Sequence, residues 1–321
     1  MPPNFLACPK CGRLVHAETL KRLAAEGQAA EEKSDWTAAL SAWREVLEKV
    51  PPGSSQFETV FKRVDGLSRK LEASGSRPKE PFWRKNGSWV GVSGLAVLAL
   101  SKLKFLLLGF SKIGTLLTMI AFFGIYWAAW GWRFAGGLVL SIYLHEMGHV
   151  ARLRHYGIQA TAPMFLPGVG ALVRLQQRLV NVREDARVGL AGPWWGLGAA
   201  LACYAAYRLG LGPYWGGIAK VGAWINLFNL LPLGPLDGGR GFRSLTKTQR
   251  LLALLGIAAA WWSTKEGLLL FLGGMAIFRV MEPGAPTERD DEGLAQYLIL
   301  VAALSALCLI QIPGLATDSL P

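Results

Sequence analysis

The sequence predicts an all-α polytopic membrane protein that carries a small soluble helical domain at its N-terminus. Hydrophobic residues make up 52% of the chain and charged residues 17%, which is too apolar for a single water-soluble globule. The composition changes abruptly near residue 87, from a polar region to long apolar runs. Three of these runs, 113–132, 188–207 and 293–317, are uncharged. Each is long enough to cross a hydrocarbon core of about 30 Å, which takes roughly 20 helical residues.

The charge balance indicates which partners to expect. The net charge of +12 comes from 34 Lys and Arg against 22 Asp and Glu. Most of the basic excess lies beside apolar segments, as is typical of residues that face a cytoplasmic leaflet, so we expect a lipid bilayer and no nucleic acid as partner. Four cysteines are too few and too scattered for a disulfide framework. The first residues lack the pattern of a cleaved signal peptide, which places the N-terminal domain in the cytosol.

The chain divides into four predicted regions. Residues 1–16 form a CxxC knuckle, residues 17–75 a helical cytosolic domain, residues 76–87 a linker, and residues 88–321 the membrane-embedded domain. The linker is rich in Gly, Pro and charged residues, as connecting segments usually are.

The N-terminal domain is predicted to hold three helices. Apolar residues recur at helical spacing over 18–32, 35–50 and 54–72, and Asp35 is the predicted N-cap of the second helix. One face of that helix collects Trp36, Leu40, Trp43 and Leu47. The arrangement resembles a single tetratricopeptide-like unit, and an unrelated small helical domain is the alternative.

The knuckle contains Cys8-Pro-Lys-Cys11-Gly12, which resembles half of a zinc ribbon. Two thiolates at this spacing suit a tetrahedral metal ion, but a structural zinc site needs four ligands. His16 is the candidate third ligand, since Cys203 and Cys308 lie in apolar segments and are predicted core thiols. A second, structural zinc ion, a site shared with a partner subunit and a degenerate knuckle all remain open interpretations.

The apolar stretch 134–150 contains the motif His145-Glu146-Met147-Gly148-His149. On a helix, positions i and i+4 lie one above the other, so both imidazoles face one point with Glu146 beside them. Zinc at that point lowers the pKa of a bound water toward about 7, and Glu146 is placed to accept the proton as this water attacks a carbonyl carbon. The alternative is that these side chains only tie helices together. A carboxylate at the bilayer centre costs about 2.5–3.5 kcal/mol, which favours a functional role.

A catalytic zinc ion takes three protein ligands and keeps one open position, so a third ligand must come from elsewhere. Asp237 is the candidate, because it follows the apolar segment 221–236, in which glycines and prolines unwind the chain. Irregular backbone at membrane depth is tolerated where it is buried in protein or lines a cavity. The alternative role for Asp237 is the N-cap of a helix that starts near Gly239. His16 and His155 are poorer candidates by position.

These motifs resemble the site-2 protease family of intramembrane zinc metalloproteases, in its bacterial branch. The resemblance covers roughly residues 134–241, and three stretches carry it: the HExxH motif at 145–149, Ala-Gly-Pro at 191–193, and Asn-Leu-Leu-Pro to Leu-Asp-Gly at 229–238. It implies a core of about three helices. It also implies that His145, His149 and Asp237 bind one catalytic zinc ion and that Glu146 is the general base.

The same resemblance carries three further expectations. Asn229 is expected to help bind an unwound substrate strand. A short β-like insertion, which can pair with the substrate, is expected within 158–175. Many family members carry Asn three residues after the Gly-Pro, where this chain has Gly196.

Basic residues predict the orientation in the membrane. Arginines follow both the HExxH motif and Asp237, so both ends are expected to face the cytoplasm of a bacterial plasma (inner) membrane. The two helices between the HExxH motif and Asp237 are expected to cross the membrane outward and back again. This brings the two halves of the site to the same depth in the membrane. Two stretches, 89–112 and 251–279, are predicted to be either spans or re-entrant segments.

The sequence thus predicts a zinc-dependent intramembrane endopeptidase that cleaves transmembrane or juxtamembrane segments of membrane proteins. Two alternatives remain: an inactive membrane scaffold whose N-terminal helices recruit a cytosolic protein, and a metal-binding or metal-transporting protein. Glu146 favours the protease, because neither alternative needs a base beside the metal ligands.

Overall fold

The structure is a computed structural model that describes residues 6, 14–75, 113–159, 164–166, 170–172 and 179–312. These residues form eleven helices and two short strands. The N-terminal helices are α1 (Ala17–Glu32), α2 (Trp36–Lys49) and α3 (Ser55–Gly75). The central elements are α4 (Ile113–Trp130), α5 (Trp132–His155), β1 (Met164–Leu166), β2 (Gly170–Leu172) and α6 (Val182–Arg208). The C-terminal helices are α7 (Pro213–Asn229), α8 (Asp237–Arg243), α9 (Lys247–Thr264), α10 (Gly267–Met281) and α11 (Asp291–Cys308).

The chain forms two compact units. The first contains α1, α2 and α3, together with the end of α5 from Leu153 and the start of α6 as far as Glu184. The second contains α4, the rest of α5, β1, β2, the rest of α6 from Asp185, and α7 to α11. The predicted domain boundaries remain predictions.

The three N-terminal helices form where the sequence predicts them, with ends displaced by only a few residues. Asp35 is the N-cap of α2, as predicted, and its side chain accepts a hydrogen bond from the backbone N–H of Ala38 at 3.1 Å. Leu40 and Trp43, on the predicted apolar face, are buried. The indole N–H of Trp43 donates to Glu31 at 2.7 Å. This face of α2 therefore holds the helices together.

A buried ion pair joins α2 to the start of α6 within the first unit. The Arg44 guanidinium lies 2.5 Å from a carboxylate oxygen of Glu184, and both side chains are almost completely buried. Arg44 also donates from Nε to the backbone carbonyl of Tyr156, just after α5 ends. The hydroxyl of Tyr156 donates in turn to Glu72 on α3 at 2.9 Å. The N-terminal helices thus contact the C-terminal end of α5 directly.

A small β-hairpin follows α5. Strand β1 pairs antiparallel with β2, with Met164 opposite Leu172 and Leu166 opposite Gly170. The hairpin lies within the range 158–175 in which the resemblance implies a β-like insertion.

The core of the second unit lies among the C-terminal helices and α6. Helix α11 packs against α7 and α9, and its buried residues include Tyr297, Leu300 and Leu304. The Tyr297 hydroxyl donates to the backbone carbonyl of Leu230 at 2.8 Å, just after α7 ends. These contacts hold α11 against the end of α7.

The stretch 251–279 is a pair of helices. Helix α9 ends where Lys265 adopts a left-handed conformation with φ of 56°, and α10 begins directly afterwards, with Glu266 as its N-cap. The two helices pack against each other as a helical hairpin. The other ambiguous stretch, 89–112, lies outside the described residues.

Among the described residues, one helix is long and apolar enough to cross a membrane: α11, Asp291–Cys308, which overlaps the predicted span 293–317. Shorter apolar helices are Leu117–Trp130, in α4, and Gly267–Met281, which is α10. The predicted span 188–207 is helical within α6, but its glycines, tryptophans and Pro193 lower its hydropathy.

Candidate metal centre

Helix α5 carries both histidines of the HExxH motif on one face, as helical spacing requires. The Nε2 atoms of His145 and His149 lie 3.2 Å apart, and both side chains are buried. A helix supplies this arrangement locally, because residues four apart are neighbours on its surface.

Asp237 completes a group of three donors that we call the metal group: His145, His149 and Asp237. Its Oδ2 atom lies 3.1 Å from Nε2 of His145 and 3.4 Å from Nε2 of His149. Asp237 is the first residue of α8, and the N-cap is Leu236. The carboxylate therefore faces the imidazoles and does not act as the N-cap that the sequence left open.

The other ring nitrogen of each histidine faces a hydrogen-bond acceptor. Nδ1 of His145 lies 2.7 Å from Oδ1 of Asn226, and Nδ1 of His149 lies 2.8 Å from the carbonyl oxygen of Val188. The amide orientation of Asn226 follows from its second contact, in which Nδ2 donates to the carbonyl of Gly222 at 2.7 Å. Nδ1 of each imidazole is therefore the hydrogen-bond donor to these oxygens, which leaves Nε2 as the atom that can bind a metal ion.

The metal group fits a zinc ion. Bonds of about 2.0–2.1 Å in tetrahedral geometry place ligand atoms about 3.3 Å apart. The three separations between the donor atoms are 3.1, 3.2 and 3.4 Å. Two unprotonated ring nitrogens and a carboxylate at these distances repel one another, and a cation between them removes that repulsion.

Gly192 on α6 leaves the space in which the imidazoles lie. A Cβ at this position would overlap Nε2 and Cε1 of His149, and would also come too close to Nε2 of His145. The Gly-Pro of α6, which the resemblance singles out, is thus next to the metal group. Any side chain at position 192 would displace one of these imidazoles.

Glu146 lies beside the metal group. Its Oε1 atom is 3.9 Å from Nε2 of His145, and the side chain is buried. The carboxylate is therefore within reach of a water molecule or substrate atom at the centre, which is the position that a general base requires.

The other predicted site residues are Asn229, Cys8, Cys11 and His16. Asn229 is the last residue of α7 and is half-buried, near the end of the segment that leads to Asp237. Cys8 and Cys11 lie outside the described residues. His16 occupies the N-cap position of α1 without a side-chain capping hydrogen bond. The predicted second metal site therefore stays a prediction.

Sequence reasoning missed Asn226 and the carbonyl of Val188. Asn226 lies one helical turn before Asn229 in an apolar segment, and a buried amide in such a segment needs a partner, so a signal existed. Position 188 carried no such signal in the sequence, because any residue supplies a backbone carbonyl.

Ion pairs attach other helices to the start of α6. Asp185 accepts hydrogen bonds from Arg240 at 2.8 Å and from Arg243 at 2.5 Å, both on the helix that carries Asp237. Arg187 forms a two-pronged pair with Asp290, the N-cap of α11. Burial alone would raise the pKa of Asp290, but the hydrogen bond and charge of Arg187 outweigh it and hold this pKa below its usual value. These pairs flank Val188 and so support the part of α6 that contacts His149.

Comparison with known proteins gives one partial similarity. Among curated proteins, the chain is similar to one named zinc metalloprotease from Methanocaldococcus jannaschii, with 27% identity over 142 residues. The matched part covers 42% of this chain and 41% of the length of that relative. No family model matches the chain, and no solved structure matches it. The similarity and the three converging donors together support a zinc-dependent protease.

Proposed function

We propose that this protein is a zinc-dependent intramembrane endopeptidase of the site-2 protease type, which cleaves transmembrane or juxtamembrane segments of other membrane proteins in regulated intramembrane proteolysis. One observation carries the proposal: Nε2 of His145, Nε2 of His149 and Oδ2 of Asp237 converge within 4.8 Å of one another. They come from two apolar parts of the chain, and the Glu146 carboxylate lies beside them.

The residues divide the chemistry between them. His145, His149 and Asp237 would hold the zinc ion, which as a Lewis acid polarises a peptide carbonyl and acidifies water. Glu146 would accept a proton from the water that attacks the carbonyl carbon. It would then return this proton to the amide nitrogen as the C–N bond breaks. A scaffold or a metal transporter has no use for a buried carboxylate in this position.

The exposed surface of several helices supports a lipid environment. Helices α4, α9 and α10 expose large apolar side chains, among them Trp130, Leu255, Trp262, Phe278 and Met281. Trp262 is 72% exposed and Met281 is 74% exposed. Large apolar areas of exposed surface are unusual on water-soluble monomers. With α11 as a span, this supports a polytopic protein in the bacterial plasma (inner) membrane.

The contacts of the first unit support a cytosolic N-terminal domain. Arg44 binds Glu184 and the carbonyl of Tyr156, so α2 lies against the C-terminal end of α5 and the start of α6. Arginines cluster around these ends, at Arg152, Arg154 and Arg183. By the positive-inside tendency this side faces the cytoplasm, and the N-terminal helices share it.

The substrate would be an unwound segment of a transmembrane protein. A peptide carbonyl reaches the metal group only after the substrate helix loses its backbone hydrogen bonds. The hairpin β1–β2 offers strand edges that suit such a segment, and Asn229 offers an amide. The N-terminal helices are a candidate docking site for a cytosolic protein partner.

The test is Glu146→Gln in purified protein reconstituted with single-span substrates. This variant keeps the size of the side chain and removes the base, so we expect hydrolysis to fall about 10²- to 10⁴-fold while zinc stays bound. His145→Ala should lose both zinc and hydrolysis. Cleavage that survives Glu146→Gln would eliminate the protease proposal in this form.

A further inference from the structure

Asn226 is held at both ends of its carboxamide. The side chain is 2% exposed. Its nitrogen donates to the carbonyl of Gly222 one turn earlier on α7, and its oxygen lies 2.7 Å from Nδ1 of His145. The amide has one orientation that satisfies both contacts. The oxygen is therefore fixed toward the imidazole, and the donor of that hydrogen bond is His145.

Gly196 on α6 provides the space for this amide. A Cβ at position 196 would overlap Oδ1, Cγ and Nδ2 of Asn226. Position 196 and the carboxamide of Asn226 therefore lie side by side, so a polar side chain entering from α6 would occupy the volume that Asn226 now fills. The absence of Asn at position 196 is thereby explained for this chain.

The two histidines differ in how they are supported. His149 contacts a backbone carbonyl, that of Val188, which substitutions at position 188 retain. His145 contacts a side chain, which a single substitution removes. Without that acceptor, the buried Nδ1–H loses its partner and the proton can move to Nε2, the atom that faces the metal group.

We propose that Asn226 is a positioning residue for the metal centre, because its carboxamide oxygen fixes the tautomer and ring orientation of His145. The same carboxamide can be supplied from position 196 on α6, where Gly196 now leaves the space that the Asn226 side chain fills. This inference rests on the proposed function only in that the metal group binds zinc. Residues that orient a metal-bound histidine typically contribute about 10- to 100-fold to metal affinity.

The decisive pair of variants is Asn226→Leu and Asn226→Asp. Leucine keeps the volume of the side chain and removes the acceptor, whereas aspartate keeps an acceptor oxygen. In the full-length protein, competition with a chromophoric chelator should show zinc affinity about 10- to 100-fold lower for Asn226→Leu, and within a few-fold of the parent for Asn226→Asp. The visible spectrum of the Co²⁺-loaded protein, which reports ligand geometry, should change only for Asn226→Leu.

Tyr297→Phe is the matched control. It removes another buried hydrogen bond of the same unit, the one from the Tyr297 hydroxyl to Leu230, without contacting either imidazole. Its zinc affinity and Co²⁺ spectrum should equal those of the parent. A loss of affinity as large as that of Asn226→Leu would indicate a general packing effect and overturn the positioning role.

Moving the carboxamide from position 226 to position 196 tests whether the same amide can be supplied from α6. The double variant Gly196→Asn/Asn226→Ala should regain most of the affinity that Asn226→Leu loses, because the amide then enters from α6. Gly196→Asn alone should bind zinc poorly, since two carboxamides would overlap. A folded double variant without recovered affinity would overturn the interchange. If it does not fold, as judged by thermal unfolding, the interchange is overturned as well, and the Leu and Asp variants decide the positioning role.

Failure of this inference differs from failure of the proposed function. If the parent binds no zinc, or binds it undiminished in His145→Ala, the proposed metal group is wrong. If the parent binds zinc through His145 and Asn226→Leu binds it equally tightly with an unchanged Co²⁺ spectrum, the positioning role of Asn226 is wrong while the metal group stands.

Discussion

At the scale of single residues, the glycine at position 192 provides the space in which the metal group forms. The two Nε2 atoms and the Asp237 carboxylate approach within 3.1–3.4 Å. That approach leaves no room for a side chain from α6, and a Cβ at Gly192 would overlap both imidazoles. The metal group therefore depends on a residue that offers no ligand atom.

Gly192→Ala should impair metal binding. The added methyl group must push an imidazole aside, so we expect zinc affinity to fall by about 100-fold or more, equivalent to roughly 3 kcal/mol. Chelator competition on the purified protein measures this loss. Gly198→Ala is the matched control on the same helix, because a Cβ there meets nothing within 4 Å. It should leave zinc affinity unchanged and stabilise α6 by about 0.5–1 kcal/mol. Equal zinc affinity in the two variants would contradict the described geometry.

At the scale of elements, ion pairs fix the positions of α8 and α11 relative to the start of α6. Asp185 binds two arginines of α8, and Arg187 binds the N-cap of α11. Both pairs lie within three residues of Val188, whose carbonyl faces His149. In the first unit, Arg44 plays the corresponding part, since it joins α2 to the start of α6 and to the backbone that follows α5.

Arg44→Leu should destabilise the first unit strongly. The substitution leaves Glu184 buried without its cation, which typically costs 3–5 kcal/mol. Thermal unfolding followed by circular dichroism should show this loss, and the double variant Arg44→Leu/Glu184→Gln should recover part of it. Arg22→Leu serves as control, because Arg22 pairs with Glu26 on the surface, with side chains 62% and 50% exposed. Such pairs contribute under about 1 kcal/mol. An Arg44 variant as stable as the Arg22 variant would show that the buried pair is dispensable.

At the scale of the whole molecule, apolar exposure and basic residues together determine the proposed topology. Helices α4, α9 and α10 expose many large apolar side chains, and arginines gather near the start of α6 and along α8. In the proposed arrangement, the connection between α6 and α7 lies outside the cytoplasm, while the N-terminal helices and the residues before α11 lie inside.

Cysteine labelling tests this topology. In a background without Cys8, Cys11, Cys203 and Cys308, single cysteines at the exposed positions Glu58, Thr287 and Leu211 should differ in access to a membrane-impermeant maleimide. We expect the cysteine at 211 to react in intact spheroplasts, and those at 58 and 287 only after lysis. Labelling of position 58 in intact spheroplasts would exclude a cytosolic N-terminal domain.

Many of the helices and caps could be predicted from local sequence patterns, because helical periodicity and capping depend only on neighbouring residues. The placement of His145 and His149 on one face of α5, the Asp35 cap and the three N-terminal helices are of this kind. Asp237 was also reachable, because its motif and the arginines that follow predicted that it would approach the HExxH helix. The number of membrane spans was harder to predict, since glycine and tryptophan in α6 lower the hydropathy on which such predictions rest.

By itself, then, the sequence determined the chemistry available: two imidazoles four residues apart, a carboxylate between them and a distant aspartate within apolar segments. Only the tertiary structure decided how that chemistry is supported. The Asn226–His145 contact joins residues 81 apart in the chain, and the Arg44–Glu184 pair joins residues 140 apart. No sequence period relates such partners, because their meeting depends on the angle and depth at which whole helices pack. The same is true of the space at Gly192 and Gly196, which exists only once α6 lies against α5 and α7.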